Sequence, residues 1–236
     1  MDFITICEHY SNKQPMLCTS GKVPNAYKTF FRSRKYNKIC ISLSGGVDSM
    51  VSSWLLKQTL PSTQISAVHI NYNNRETSEL EAEFVKYWCK LLNIECSITD
   101  LNLKRENYMK HDRHYYENYT KKIRFQMYEL QNCPVVLGHN YDDCVENVIT
   151  NIASHKHNGN LKGMMSESCI DNVTILRPLL DISKTDIIAY AKYTNVPYLQ
   201  DSTPSWSRRG KIRDHIIPTL NTIEPSFISG LMRYIS

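Results

Sequence analysis

Residues 39–49 read Ile39-Cys40-Ile41-Ser42-Leu43-Ser44-Gly45-Gly46-Val47-Asp48-Ser49. Apolar residues over 39–43 have the length of a buried strand, and the amphipathic stretch 49–60 reads as a helix. Between them, Gly45 and Gly46 allow backbone angles closed to other residues, so main-chain N–H groups can approach a ligand closely. The helix start behind them adds free N–H donors and the positive end of a macrodipole, which together suit an anion. Ser44 and Ser49 add hydroxyls at the rim. No Gly-Lys-Ser/Thr ending follows, so this is not a Walker-type loop. The plainer alternative is a tight turn whose helix is capped by Asp48 or Ser49.

Outward from this unit, strand and helix patterns keep alternating. Residues 65–70 and 94–98 read as strands. Leu80, Phe84, Trp88 and Leu91 recur at helical spacing within 78–92. A helical stretch over 117–130 precedes the short strand 135–137. Val145, Val148, Ile149 and Ile152 share a face of a helix over 142–152, and a strand over 173–176 leads to the last clear helix, 184–193. Such alternation requires crossover connections, and it predicts an α/β fold: a parallel five-stranded sheet with helices on both faces. Ligands of such sheets bind outside the carboxyl ends of the strands. Chemistry is therefore expected just after Leu43, Ile70 and Leu137. Residues 1–37 read as an N-terminal extension, 38–220 as the domain and 221–236 as a short C-terminal tail.

The 236 residues are 42% hydrophobic and 22% charged, which excludes fibrous, low-complexity and wholly disordered classes. No apolar run approaches the ~18 residues of a membrane-spanning helix. Residues 1–20 contain Asp2 and Glu8 and lack a signal-peptide pattern, so the expected location is cytoplasmic. None of the eight cysteines forms a Cys-x-x-Cys pair, and buried free thiols are expected. The net charge of +5 permits an anionic partner without identifying one.

After the strand 135–137 comes Gly138-His139-Asn140-Tyr141-Asp142-Asp143-Cys144-Val145-Glu146. On a helix Asp142 and Glu146 share a face, with Asp143 offset by about 100°. Such carboxylates can hold Mg²⁺ on nucleotide phosphates or accept a proton from an attacking amine. Alternatively they are an acidic first helical turn with Asp142 as the cap. Further on, Arg208, Arg209, Lys211 and Arg213 form a basic cluster suited to phosphates, or else a solvated face. Residues 104–125 interleave seven Lys/Arg, among them Lys121 and Arg124, with Tyr108, Tyr115, Tyr116 and Tyr119. Basic and aromatic side chains together suit RNA, although a charged helix face has the same composition. Cys7, His9 and Cys18 are a weak set of metal ligands.

Residues 44–49 resemble the SGGxDS loop of the PP-loop ATP pyrophosphatases, which cleave ATP between its α- and β-phosphates. Residues 138–146 resemble the GHxxDDxxE signature shared by tRNA(Ile)-lysidine synthases and one branch of the tRNA thiolases. The order Arg177-Pro178-Leu179-Leu180, an amphipathic helix, Asp201, then Arg209 to Pro218 is similar to the lysidine synthases. Lys211 and Gly210 depart from that family's pattern, as does Pro204.

The resemblance implies adenylation of the C2 carbonyl of a wobble cytidine in tRNA, followed by attack of free lysine, with release of AMP and pyrophosphate. It implies ATP and Mg²⁺ as cofactors. The residues that would bind ATP are Ser44, Gly45, Gly46, Val47, Asp48, Ser49, His69, Gly138 and His139. Catalysis would fall to Asp48, Asp142, Asp143, Glu146 and Arg124, with Asp48 and Asp143 on Mg²⁺. RNA would be held by Lys121, Arg208, Arg209, Lys211 and Arg213. Two rival functions are a sulfur donor replacing lysine, as in tRNA 2-thiolation, and a non-catalytic nucleotide-binding scaffold. A homodimer is compatible with all three.

Overall fold

The computed structural model describes residues 7–9, 13–73, 76–101, 113–154, 161, 163–200, 205 and 207–235, with the side chains of 8 and 113–117 excepted. Residues 104–112, Asp201 and Pro204, used in the sequence argument, lie outside this set. The central sheet is built from β2 (Lys38–Ser42), β3 (Gln64–Asn71), β4 (Glu95–Asp100), β5 (Val135–Val136), β6 (Glu167–Ile170) and β7 (Val173–Leu176). Its order is β4-β3-β2-β5-β7-β6. Five strands are parallel, as expected; the sixth, β6, runs antiparallel to β7 at the edge. The turn joining them explains the extra strand. Asp171 and Asn172 both adopt positive φ, 48° and 64°, the geometry of a two-residue hairpin that Asn and Asp tolerate.

Both faces of the sheet are covered because side chains alternate along each strand. In β2, Ile39 and Ile41 enter one core with α1 (Lys22–Phe31), α2 (Val47–Thr59), α3 (Ser78–Leu92) and α6 (Lys184–Thr194). Cys40 enters the other, with Phe125 and Tyr128 of α4 (Arg113–Glu129). On α3 the buried face is centred on Ala82, Val85, Cys89 and Leu92. Leu80, Phe84 and Trp88 form one edge of it, and Leu91 is exposed. The stripe read from the sequence was therefore the margin of a wider face. A third cluster joins Cys144, Val145 and Val148 of α5 (Tyr141–Ala153) to Met232 of α9 (Phe227–Tyr234), while Ile152 is exposed.

Order at both ends exceeds the sequence expectation. The helix α1 lies within the stretch read as an extension, yet Tyr27 is fully buried and its hydroxyl bonds Ser52 O and Oγ at 3.0 and 2.9 Å. β1 (Cys7–His9) pairs antiparallel with β8 (Tyr198–Leu199). After α6 the chain continues through α7 (Arg208–Lys211), a π-helical turn at Ile212–Ile216, α8 (Ile217–Ile223) and α9. These pieces are short, so no long apolar period marks them.

The connections reverse direction about β2: α2 leads to β3 on one side, and α4 returns the chain to β5 on the other. A crevice opens between the carboxyl ends of β2 and β5 at this switch point. If α1 belongs to the core, Tyr27→Ala removes a fully buried ring and two hydrogen bonds. Urea unfolding should then show a loss of about 3–5 kcal/mol; a loss below about 1 kcal/mol would make α1 an accessory segment.

Candidate active site

The loop between β2 and α2 is held by its own polar atoms. Ser49 Oγ donates to Gly46 O at 2.9 Å and accepts from Ser44 N at 3.2 Å, while Gly46 N donates to Ser44 Oγ at 3.3 Å. Gly45 adopts φ +84°, and a Cβ there would meet Leu199 Cδ1 at 2.5 Å. Leu199 N in turn donates to Gly45 O at 2.9 Å. The N-cap of α2 is Gly46, which offers no side-chain cap. Neither Asp48 nor Ser49 caps this helix, so its first-turn N–H groups are left for a ligand. Val47 is buried in the core and contributes only backbone to the loop.

The second loop, 137–140, lies directly on the first. A Cβ at Gly138 would stand 2.9 Å from Ser49 N and 3.0 Å from Asp48 C, so glycine is what permits this approach. Asn140, not Asp142, is the N-cap of α5. Its side chain accepts from Asp143 N at 3.1 Å, and Asp143 Oδ2 accepts from Asn140 N at 3.0 Å, a reciprocal capping box. The amide of Asn140 also donates to Asp48 Oδ1 at 2.9 Å, and Lys184 Nζ lies 2.5 Å from Asp48 Oδ2. Burial pushes the Asp48 carboxyl above the usual carboxylate range, against the opposing pull of Lys184.

The carboxylates group differently from the helical-wheel expectation. Asp142 Oδ2 accepts from Lys184 N at 2.7 Å, which turns it toward α6 and away from Glu146. Glu146 is buried and receives Arg209 Nε at 2.7 Å and Arg213 Nε at 2.8 Å. Arg209 also pairs with Asp143. Thus Arg209 and Arg213 neutralise carboxylates, while Lys121, Arg208 and Lys211 are exposed. Arg208 touches Ser154 Oγ, and Lys121 lies over the Phe125 ring.

A cavity of about 380 Å³ opens at the ends of β2, β3 and β5, within the ~300–1,000 Å³ of small-molecule sites. Ser44, Asp48, Ser49, His69, Arg124, Gly138, His139 and Asp143 line it; Asp142 and Glu146 do not. His69 Nδ1 lies 2.8 Å from Leu43 O, and burial holds this imidazole below the usual histidine range. Arg124 Nε is buried without a hydrogen-bond partner among the described residues. Arg177 is buried and donates from Nε to His139 Nδ1 at 3.1 Å. Asn140 and Lys184, central to the network, were missed as site residues in the sequence because their roles depend on contacts 92 and 136 residues away.

As for Mg²⁺, no group of three or more His, Cys, Asp or Glu that could hold a metal exists among the described residues. Asp48 and Asp143 are two carboxylates beside one cavity. That donor set fits Mg²⁺ in its usual mode, one or two carboxylates with nucleotide phosphates and water completing the shell. It does not fit an all-protein cage.

Comparison with known proteins is consistent with this geometry. The tRNA(Ile)-lysidine synthase of Chlamydia muridarum is 31% identical over 204 residues, 83% of this chain and 62% of that protein. The same enzyme from Chlamydia trachomatis serovar D is 33% identical over 202 residues, covering 82% and 61%. The chain therefore spans about three-fifths of the length of these relatives. Among solved structures, the U34-tRNA thiolase NcsA from Methanococcus maripaludis superposes with a TM-score of 0.69 at 20% identity, over 89% of this chain and 77% of that one. The NH3-dependent NAD synthetase of Campylobacter jejuni does so with 0.51 at 17% identity, over 89% and 88%. Residues 20–220 match the family of PP-loop domains. With that match running through both loops and the cavity between them, the chain belongs to the PP-loop family.

Proposed function

We propose that this chain is an ATP-dependent tRNA-modifying enzyme of the lysidine synthase type, acting in the cytoplasm. One observation carries the reading: the uncapped N-terminus of α2 opens onto a cavity that also holds the carboxylates of Asp48 and Asp143 and the Nε of Arg124, buried without a partner among the described residues. The relatives named above supply tRNA as the substrate class. The β- and γ-phosphates would rest at the loop 44–49 on the free first-turn N–H groups of α2, where the helix dipole and the serine hydroxyls favour an anion. Mg²⁺, held by Asp48 and Asp143, would neutralise phosphate charge. His69, beside Leu43 at the end of β3, would frame the adenine.

The wobble cytidine's C2 oxygen attacks the α-phosphorus and pyrophosphate departs. The new C2–O–AMP bond turns a poor leaving group into a good one. The amine of free lysine then attacks C2, the C–O bond breaks, and AMP leaves with the electron pair. Arg124, which lines the cavity, would stabilise the charge that develops on the α-phosphoryl oxygens. Asp143, on the cavity wall, would accept the amine proton on giving up its pairing with Arg209. Glu146, locked between two arginines, and Asp142, bonded to α6, hold the geometry. Lys121, Arg208 and Lys211 would contact tRNA phosphates, and Arg209 and Arg213 would do so only by sharing charge with their carboxylates.

Asp48→Ala should abolish ATP-dependent pyrophosphate release, with circular dichroism unchanged. Release of ADP and phosphate by the native protein would refute the assignment. Binding of tRNA should weaken steeply with salt, the log–log slope growing by about 0.7–0.9 per neutralised phosphate. A salt-independent affinity would count against RNA. Lysine and sulfur separate at Cys144, which is buried in an apolar cluster with Val145, Val148 and Leu180. Cys144→Ala should retain most activity and Asp143→Ala should lose it, with the product identified as lysidine by mass spectrometry of tRNA nucleosides. An inactive but folded Cys144→Ala would transfer the assignment to thiolation.

A further inference from the structure

Arg177 has no assigned part in the chemistry above, yet it is buried to 5% exposure beside the cavity. Its guanidinium joins two separate pieces of chain, residues 165–168 and His139. Nη1 donates to Met165 O at 2.7 Å and to Ser168 Oγ at 2.9 Å, and Nε donates to His139 Nδ1 at 3.1 Å. No carboxylate is paired with it among the described residues. The two backbone and hydroxyl bonds fix the plane of the guanidinium, so the direction of its Nε–H is fixed as well.

Arginine is a pure donor that does not deprotonate in proteins. The ring nitrogen facing Nε–H must therefore be a bare acceptor. A histidine ring carries two nitrogens, and in the neutral form one is protonated and the other is not. His139 lines the cavity between Gly138 and the capping residue Asn140. With Nδ1 committed to Arg177, its remaining polar atom is Nε2–H.

We propose that Arg177 is a positioning residue that holds His139 in the Nε2–H tautomer, making it an obligate hydrogen-bond donor to an anionic oxygen of the nucleotide and unable to act as a general base. This rests on reading the cavity as the nucleotide site. It also gives the buried arginine an electrostatic role. Its positive charge reaches the ligand through a neutral, polarised imidazole, and the donor strength of Nε2–H rises with the bond to Nδ1. The desolvated side of the cavity wall agrees with this: burial, together with Arg177, Arg209 and Arg124, holds His139 down to about 4 against the pull of Asp143, so the ring is neutral near physiological pH.

The test is long-range proton–nitrogen correlation NMR on the full chain labelled with ¹⁵N at histidine, near neutral pH, with His139 assigned from the spectrum of His139→Gln. The wild type should show a protonated Nε2 and a bare Nδ1. Arg177→Lys should lose that single tautomer, and ATP affinity by calorimetry should fall at least about tenfold, the loss of one charge-assisted bond in the chain of donors. Ser168→Ala, which removes a different Arg177 contact, should keep the tautomer. A protonated Nδ1 or an imidazolium in the wild type overturns the proposal whether or not the variant folds. So does an Arg177→Lys protein that retains either the Nε2–H form or wild-type ATP affinity. Failure of the wild type to bind ATP would refute the nucleotide reading, while the wild-type spectrum would still decide the tautomer.

Discussion

The site depends on one close approach, that of Gly138 to the first turn of α2. The carbonyl carbon of Asp48 and the amide of Ser49 leave no space for a side chain there. Because the contact is backbone against backbone, neither loop can shift without moving the strand that carries it. β2 and β5 are neighbours in the sheet, with Cys40 opposite Val135 and Ile41 opposite Val136. Pairing brings their ends together, and the missing Cβ lets the loops touch. Asn140 then bridges the loops, capping α5 with its carbonyl and holding Asp48 with its amide.

Charge is arranged around this contact in a balanced way. Asp48, Asp143 and Glu146 are matched by Lys184, Arg209 and Arg213. Burying Glu146 alone would cost several kcal/mol, and two arginines at hydrogen-bond distance offset that cost. Such a network is neutral as it stands. An incoming triphosphate would add negative charge on the side of the free helix N-terminus and Arg124. The π-helical turn at Ile212–Ile216 carries Arg213 four residues after Arg209. Local rewinding of this kind often accompanies functional sites, and here both guanidinium groups reach one carboxylate.

Support for the phosphate loop comes from far along the chain. Leu199 of β8 fills the space beside Gly45 and bonds its carbonyl, and β8 is itself paired with β1. Residues 7–9 are thus tied through a two-strand ribbon to the loop. No local pattern foretells this, since β1 and β8 are three and two residues long and their pairing is a matter of tertiary contact.

What the sequence by itself determined is the local chemistry. The alternation of apolar strands and amphipathic helices implied the parallel sheet, and the 39–49 stretch implied a strand, an anion loop and a helix. Both are short-range consequences of backbone sterics and side-chain period, so they survive without knowledge of the fold. The tertiary structure decided which charges meet. The helical spacing of Asp142 and Glu146 suggested a shared catalytic face, but α6 captured Asp142 and two arginines captured Glu146. Arg209 and Arg213 looked free for RNA until folding placed carboxylates against them. Lys184 carried no signal as a site residue, and Arg177 stood only in a matching segment, because the partners that define them, Asp48 and His139, lie 136 and 38 residues away. Coulomb and hydrogen-bond partners act through space at about 3 Å, and only the packed sheet brings positions 48, 140 and 184 within that range.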